Sequence, residues 1–167
     1  MPLKFMMFFF AILLAGCENN PYTITLNNNV LYSPNERVQT THVEDANLQG
    51  CINQYFLRNN HEDAEKITIL ACPSAGIETL AGIRNLPNLE QVDFSDNRIT
   101  DVSALNALDN LRVLSIRNND IRNTNPLLDM PLLRFVAMQG NDNIPCRQLD
   151  RLAEKIGNTL NRPLNCK

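Results

Sequence analysis

Apolar side chains return at a step of 22 residues between Ile67 and Leu152, and this repeat restricts the fold more tightly than any other feature of the chain. One unit runs Leu89, Val92, Phe94, Asn97, Ile99, Val102, Leu105 and Leu108. One step on, the same positions hold Leu111, Leu114, Ile116, Asn119, Ile121, Thr124, Leu127 and Met130. A further step gives Leu133, Val136, Met138, Asn141, Asn143, Cys146, Leu149 and Leu152. One step back gives Ile67, Leu70, Cys72, Ala75, Ile77, Leu80, Ile83 and Leu86. A unit this short cannot bury its own apolar face, so the units must stack into a solenoid with one shared core.

Within each unit the alternation around Val92 and Phe94 predicts a short strand. Val92 and Phe94 then point inward, and Gln91, Asp93 and Ser95 point out. Stacking sets these strands side by side as a parallel sheet. Asn97, Asn119 and Asn141 form a column where the chain leaves the sheet. An amide there can bond backbone groups that the turn leaves unpaired. The first unit has Ala75 in that column, as an atypical terminal repeat would. The return from Asp101 to Leu108 is too short for a long helix, so one 3₁₀-like turn per unit is expected.

The stretch Leu111-Arg-Val-Leu114-Ser-Ile116-Arg-Asn-Asn119-Asp-Ile121 resembles the leucine-rich repeat consensus. The unit length, together with Ile99-Thr-Asp-Val102-Ser-Ala-Leu105, is similar to the internalin-type subclass of bacterial repeats. That resemblance covers residues 67–154 and implies an α/β fold: a short right-handed solenoid with a parallel concave sheet and helical caps at both ends. It says little about a ligand, because repeat scaffolds serve many functions.

The flanking segments supply the caps and the compartment. Residues 44–66 carry Leu48, Cys51, Ile52, Tyr55 and Phe56 on one helical face, which predicts an amphipathic N-terminal cap. At the other end Leu149, Leu152, Ala153, Ile156 and Leu160 continue at helical spacing, and Pro145 suits a first helical turn. Residues 145–167 are therefore expected to form a capping helix and a tail pinned by disulfide. Lys4 followed by apolar Phe5 to Ala15 is an export signal spanning residues 1–16. Leu14-Ala15-Gly16-Cys17 is similar to the bacterial lipobox, which implies cleavage before Cys17 and its lipidation. Glu18 in the next position implies sorting to the outer membrane. Residues 17–43 then form a lipidated tether. Within it, the segments on either side of Asn27-Asn28-Asn29 suggest a β-hairpin at 22–32, with a membrane spacer as the plainer alternative.

Cys51, Cys72, Cys146 and Cys166 remain, an even number in an exported chain. Three connectivities are possible, and position favours Cys51–Cys72 and Cys146–Cys166, one pair at each end of the solenoid. A metal site would need clustered thiolates or nearby histidines. His42 and His61 are the only histidines, and neither stands at such a spacing.

No nucleophile elbow, phosphate loop or zinc-binding helix is present, so neither an enzyme nor a cofactor is expected. Asp93-Phe-Ser95-Asp96-Asn97 clusters oxygens as a Ca²⁺ loop does, but lacks the glycine and final glutamate of an EF-hand. A net charge of −3 argues against nucleic acid. The surface of interest is the outward side of the sheet, where Gln91, Val113 and Phe135 align beside Asp93 and Ser115. Arg112, Arg117 and Arg134 surround that apolar stripe. Exposed aromatic and arginine side chains anchor protein interfaces. These residues make a membrane-anchored, non-enzymatic protein- or peptide-binding module the first expectation. The alternative is a structural or pilot-like assembly subunit of an envelope complex, using the hairpin to extend a partner's sheet.

Overall fold

A computed structural model describes residues 24–26, 29–32, 42–59 and 63–166, in two units that divide after Val38. The expected export signal at residues 1–16, Cys17 and His61 lie outside the described residues.

In the first unit β1 (Ile24–Leu26) pairs antiparallel with β2 (Asn29–Tyr32). Leu26 stands opposite Asn29, so the third asparagine of the expected turn belongs to the second strand. Only two residues separate the strands, the shortest common hairpin connection.

The second unit is the solenoid. Four strands of three residues follow the repeat: β3 (Ile69–Ala71), β4 (Gln91–Asp93), β5 (Val113–Ser115) and β6 (Phe135–Ala137). They pair in parallel, with Ile69, Gln91, Val113 and Phe135 in register, so the sequence period is also the spatial one. Leu70, Val92, Leu114 and Val136 point into the core. On the far side the chain returns through 3₁₀ turns at Ile83–Asn85, Ser103–Ala107 and Asn125–Leu128, each burying one leucine or isoleucine against the sheet.

The asparagine column holds the turns together. Asn97 accepts from the Ala75 and Ile77 N–H groups and donates to the Cys72, Phe94 and Ser95 carbonyls. Asn119 accepts from Ile99 N–H and donates to the Phe94, Ile116 and Arg117 carbonyls. Asn141 accepts from Ile121 N–H and donates to the Ile116 and Met138 carbonyls. Ala75 has no amide to offer, and its backbone is served by Asn97 of the next unit. Immediately before this column runs a second one: Ser74, Asp96, Asn118 and Gly140 all have φ between 50° and 77°. This left-handed position turns the chain sharply out of each strand.

Three departures from the repeat pattern have physical causes. Thr124 occupies a core position and is fully buried, with its N–H and hydroxyl both satisfied by Gln148 Oε1 from the C-terminal helix. In the last unit Asn143 is exposed and Ile144 takes the core place, because the chain there is already turning into the helix. Leu160 does not continue that helix. Helix α2 (Cys146–Ile156) ends at Gly157, whose φ of 71° and ψ of −145° suit glycine almost alone. Leu160 and Asn161 then form β7, a fifth parallel strand beside β6.

Helix α1 (Ala46–Asn59) buries Leu48, Ile52 and Phe56 against the open N-terminal end of the core. Asp45 ties it to the first repeat. One carboxylate oxygen accepts from Asn47 N–H and Leu48 N–H, capping the helix, and the other accepts from Glu78 N–H and Thr79 N–H. Burial works against the charged form, but these four bonds outweigh it and hold the carboxyl below its usual range. At the other end Lys155 Nζ donates to the Leu127, Leu128 and Met130 carbonyls, which close the last 3₁₀ turn. Burial holds its ammonium below the usual lysine range, with Asp129 partly opposing. Disulfides join Cys51 to Cys72 and Cys146 to Cys166, with Cα–Cα distances of 5.9 and 5.2 Å.

Candidate functional site

Seven of the eight residues singled out on the outward side of the sheet gather on one exposed face, and the eighth lies in its floor. Gln91, Val113 and Phe135 form a row across β4, β5 and β6. Gln91 is exposed, whereas Val113 and Phe135 are half-buried. Ile69 of β3 heads the same row at 49% exposure, separated from Val113 by the glutamine. The apolar element is therefore the adjacent pair Val113 and Phe135, not a stripe across the whole sheet.

The next row corrects an expectation. Ser115 of β5 and Ser95 beyond the end of β4 are expected to point outward, and Ala137 of β6 stands beside Ser115. All three are buried, at 8%, 2% and 6% exposure. Their side chains are too short to clear the taller flanks, so they make a floor rather than a contact surface. The hydroxyls in this floor are fully used. Arg117 Nε donates to Ser115 Oγ at 3.3 Å, and Ser115 Oγ lies 2.8 Å from Ser95 Oγ. Ser95 Oγ in turn donates to Asp93 Oδ1 at 2.6 Å. One consistent proton assignment runs from Arg117 to Asp93. This relay joins two neighbouring units, and it fixes both the half-buried carboxylate and the inner edge of the guanidinium.

The arginines divide by partner. Arg112, at the strand entrance, lies 3.7 Å from Glu90, with both side chains partly exposed. A pair so open to water adds little stability. Arg134, one unit on, and Arg117, at the strand exit, are exposed and face no carboxylate among the described residues. Gln139, one step beyond Arg117, carries a buried Oε1 with no hydrogen bond among the described residues.

The oxygens of the Asp93-to-Asn97 loop do not converge. Asp93 serves Ser95, Asp96 accepts from Asn118, and Asn97 binds backbone. Among the described residues no three His, Cys, Asp or Glu side chains group as metal ligands. His42 lines an open hollow of about 610 Å³ on the 3₁₀ side, with Glu44, Arg84 and Ser103. Cys17, the expected lipidation site, lies outside the described residues. Sequence reasoning missed the hydroxyl of Ser95 as part of the site. Its signal was there, since Ser95 stands one 22-residue step before Arg117.

No family model matches the chain. Two proteins named acidic leucine-rich nuclear phosphoprotein 32 family member A are each 26% identical to it over 117 residues, which is 68% of this chain. They come from Drosophila pseudoobscura pseudoobscura and Drosophila melanogaster, and the match spans 43% and 44% of their lengths. Among solved structures, an internalin (InlF) from Listeria monocytogenes superposes with a TM-score of 0.65 at 27% identity, over 77% of this chain and 38% of that one. A second internalin from that organism, internalin C2, gives 0.52 at 20% identity over 64% and 54%, a likeness of fold alone. The chain thus spans less than two thirds of each of these relatives. Together with the parallel sheet and flanking helices, these likenesses establish a short leucine-rich repeat solenoid. Such a scaffold is suited to protein–protein interaction.

Proposed function

We propose that this chain is a lipid-anchored, non-enzymatic binding module of the bacterial envelope, which holds a protein or peptide on its concave sheet. The observation that carries the proposal is the pairing of half-buried Val113 and Phe135 between Arg117 and Arg134, which face no carboxylate among the described residues. Aromatic and arginine side chains in that setting supply most of the energy of protein interfaces. A non-enzymatic role is supported by the use of the polar interior: the asparagine column and Asp45 satisfy backbone groups, as a scaffold requires.

Anchoring is proposed through Cys17, with the acyl chains in the outer membrane as Glu18 implies. Radiolabelled palmitate should enter the full chain, and Cys17→Ser should abolish both the label and membrane fractionation. For the binding face, partners captured by the full chain are compared with those captured by Phe135→Ala and Arg112→Glu. Loss of partners in both variants supports the face; capture unchanged in both refutes it.

The hairpin supports a second reading, as an assembly subunit. β1 and β2 form a sheet of two strands, a ribbon able to extend a partner's sheet. Deleting residues 22–32 would then stop assembly and leave concave-face capture intact.

A further inference from the structure

Charge on the concave face is sorted along the solenoid. The β3 and β4 end carries Glu90 and Asp93, and the β5 and β6 end carries Arg112, Arg117 and Arg134. This basic half stands on a chain whose net charge is −3. The acids are already engaged, Glu90 by Arg112 and Asp93 by the Ser95 N–H and hydroxyl. Arg117 and Arg134 face no carboxylate among the described residues and stand one at each end of the Val113–Phe135 pair. Along the strand direction their positions differ by five residues, a span of about 17 Å for extended chain.

We infer that the face takes an extended protein segment with two carboxylates four to six residues apart and one large apolar side chain between them. The inference rests on the concave-face reading and specifies its partner. The apolar side chain sits on Val113 and Phe135, above the floor of Ser115 and Ala137. Arg134 meets the carboxylate at one end of the segment. Arg117 meets the other with the two terminal nitrogens of its guanidinium, because Nε is held by Ser115. A guanidinium already oriented loses less freedom when it pairs with a carboxylate, and its fork matches that anion's geometry. Serine and alanine in the floor leave room for the apolar side chain, as bulkier residues would not.

The probe is a display library of random 12-residue peptides, selected on the full chain and counter-selected on Phe135→Asp, whose fold is checked by circular dichroism. Enriched peptides are expected to carry a large apolar residue between two acids at that spacing. They should bind at least tenfold more weakly to Arg117→Ala and to Arg134→Ala. Binding should also weaken as salt rises, and Arg122→Ala, on an outer loop, should bind as the wild type does. Face-dependent peptides that are neutral or basic overturn the inference while leaving the concave-face reading in place. So does equal binding by polyglutamate, which has no apolar side chain. If no enriched peptide depends on the face, the concave-face reading fails along with it.

Discussion

The left-handed column shows how single residues carry this fold. Ser74, Asp96, Asn118 and Gly140 share a backbone conformation, but the four side chains are not interchangeable. Asn118 Nδ2 reaches back to Asp96 at 2.7 Å, which aims Asn118 Oδ1 at the next unit. A Cβ on Gly140 would lie 2.1 Å from that oxygen, whereas one on Gly157 would meet nothing within 4 Å. Gly157→Ala therefore adds backbone strain alone, about 1–3 kcal/mol. Gly140→Ala adds a collision to its strain and should lower the urea midpoint further, and Asn118→Ala in the same chain should restore part of the loss. Equal losses for the two glycines would show that Asn118 moves aside freely. The sequence made the asparagine column readable because a repeated amide is conspicuous. Its left-handed neighbour was hidden by holding four different residue types.

At the scale of elements, the caps decide whether a stack this short has a stable edge. Helix α1 is held by its apolar face and by Asp45, whose two oxygens bind two different segments. Because the folded carboxyl titrates below its unfolded value, Asp45 contributes stability that is complete above about pH 4 and is lost as pH falls through its lowered folded value. Denaturant midpoints at pH 7 and pH 3 should therefore differ less in Asp45→Asn than in the wild type. An equal drop in both would mean that the four backbone bonds do not distinguish the charged form. Helix α1 was legible from its apolar spacing, because Leu48, Ile52 and Phe56 recur on one helical face. The end of α2 was not, since Leu160 stands four residues after Ile156 and so continues the helical pattern. The break comes from Gly157, and the two-residue strand that follows exists only because β6 offers it an edge.

For the whole molecule, the two disulfides act at opposite ends and share no partners. Each closes a loop of about 20 residues, worth roughly 3 kcal/mol in the chain-entropy model. Replacing Cys51 and Cys72 by serine, or Cys146 and Cys166, should lower unfolding free energy by about that amount, and the four-serine chain should lose about the sum. A loss well above the sum would show that the ends are coupled through the stack. The proposed binding face belongs to the same scale. It needs two neighbouring units in register before Val113, Phe135 and the flanking arginines share one surface.

The 22-residue period by itself determined the stacking, the strand register and the inward row, because a parallel ladder aligns equivalent residues of identical units. Cysteine placement at the two ends likewise indicated the pairing that the structure contains. Tertiary structure alone decided which outward residues face solvent. Ser95, Ser115 and Ala137 have outward parity yet are buried, since exposure depends on the height of neighbours from other units rather than on alternation along one strand. It also decided which arginines are paired. Glu90 takes Arg112, while Arg117 and Arg134 face no carboxylate among the described residues, and that choice is made by distances between repeats, which no single repeat contains.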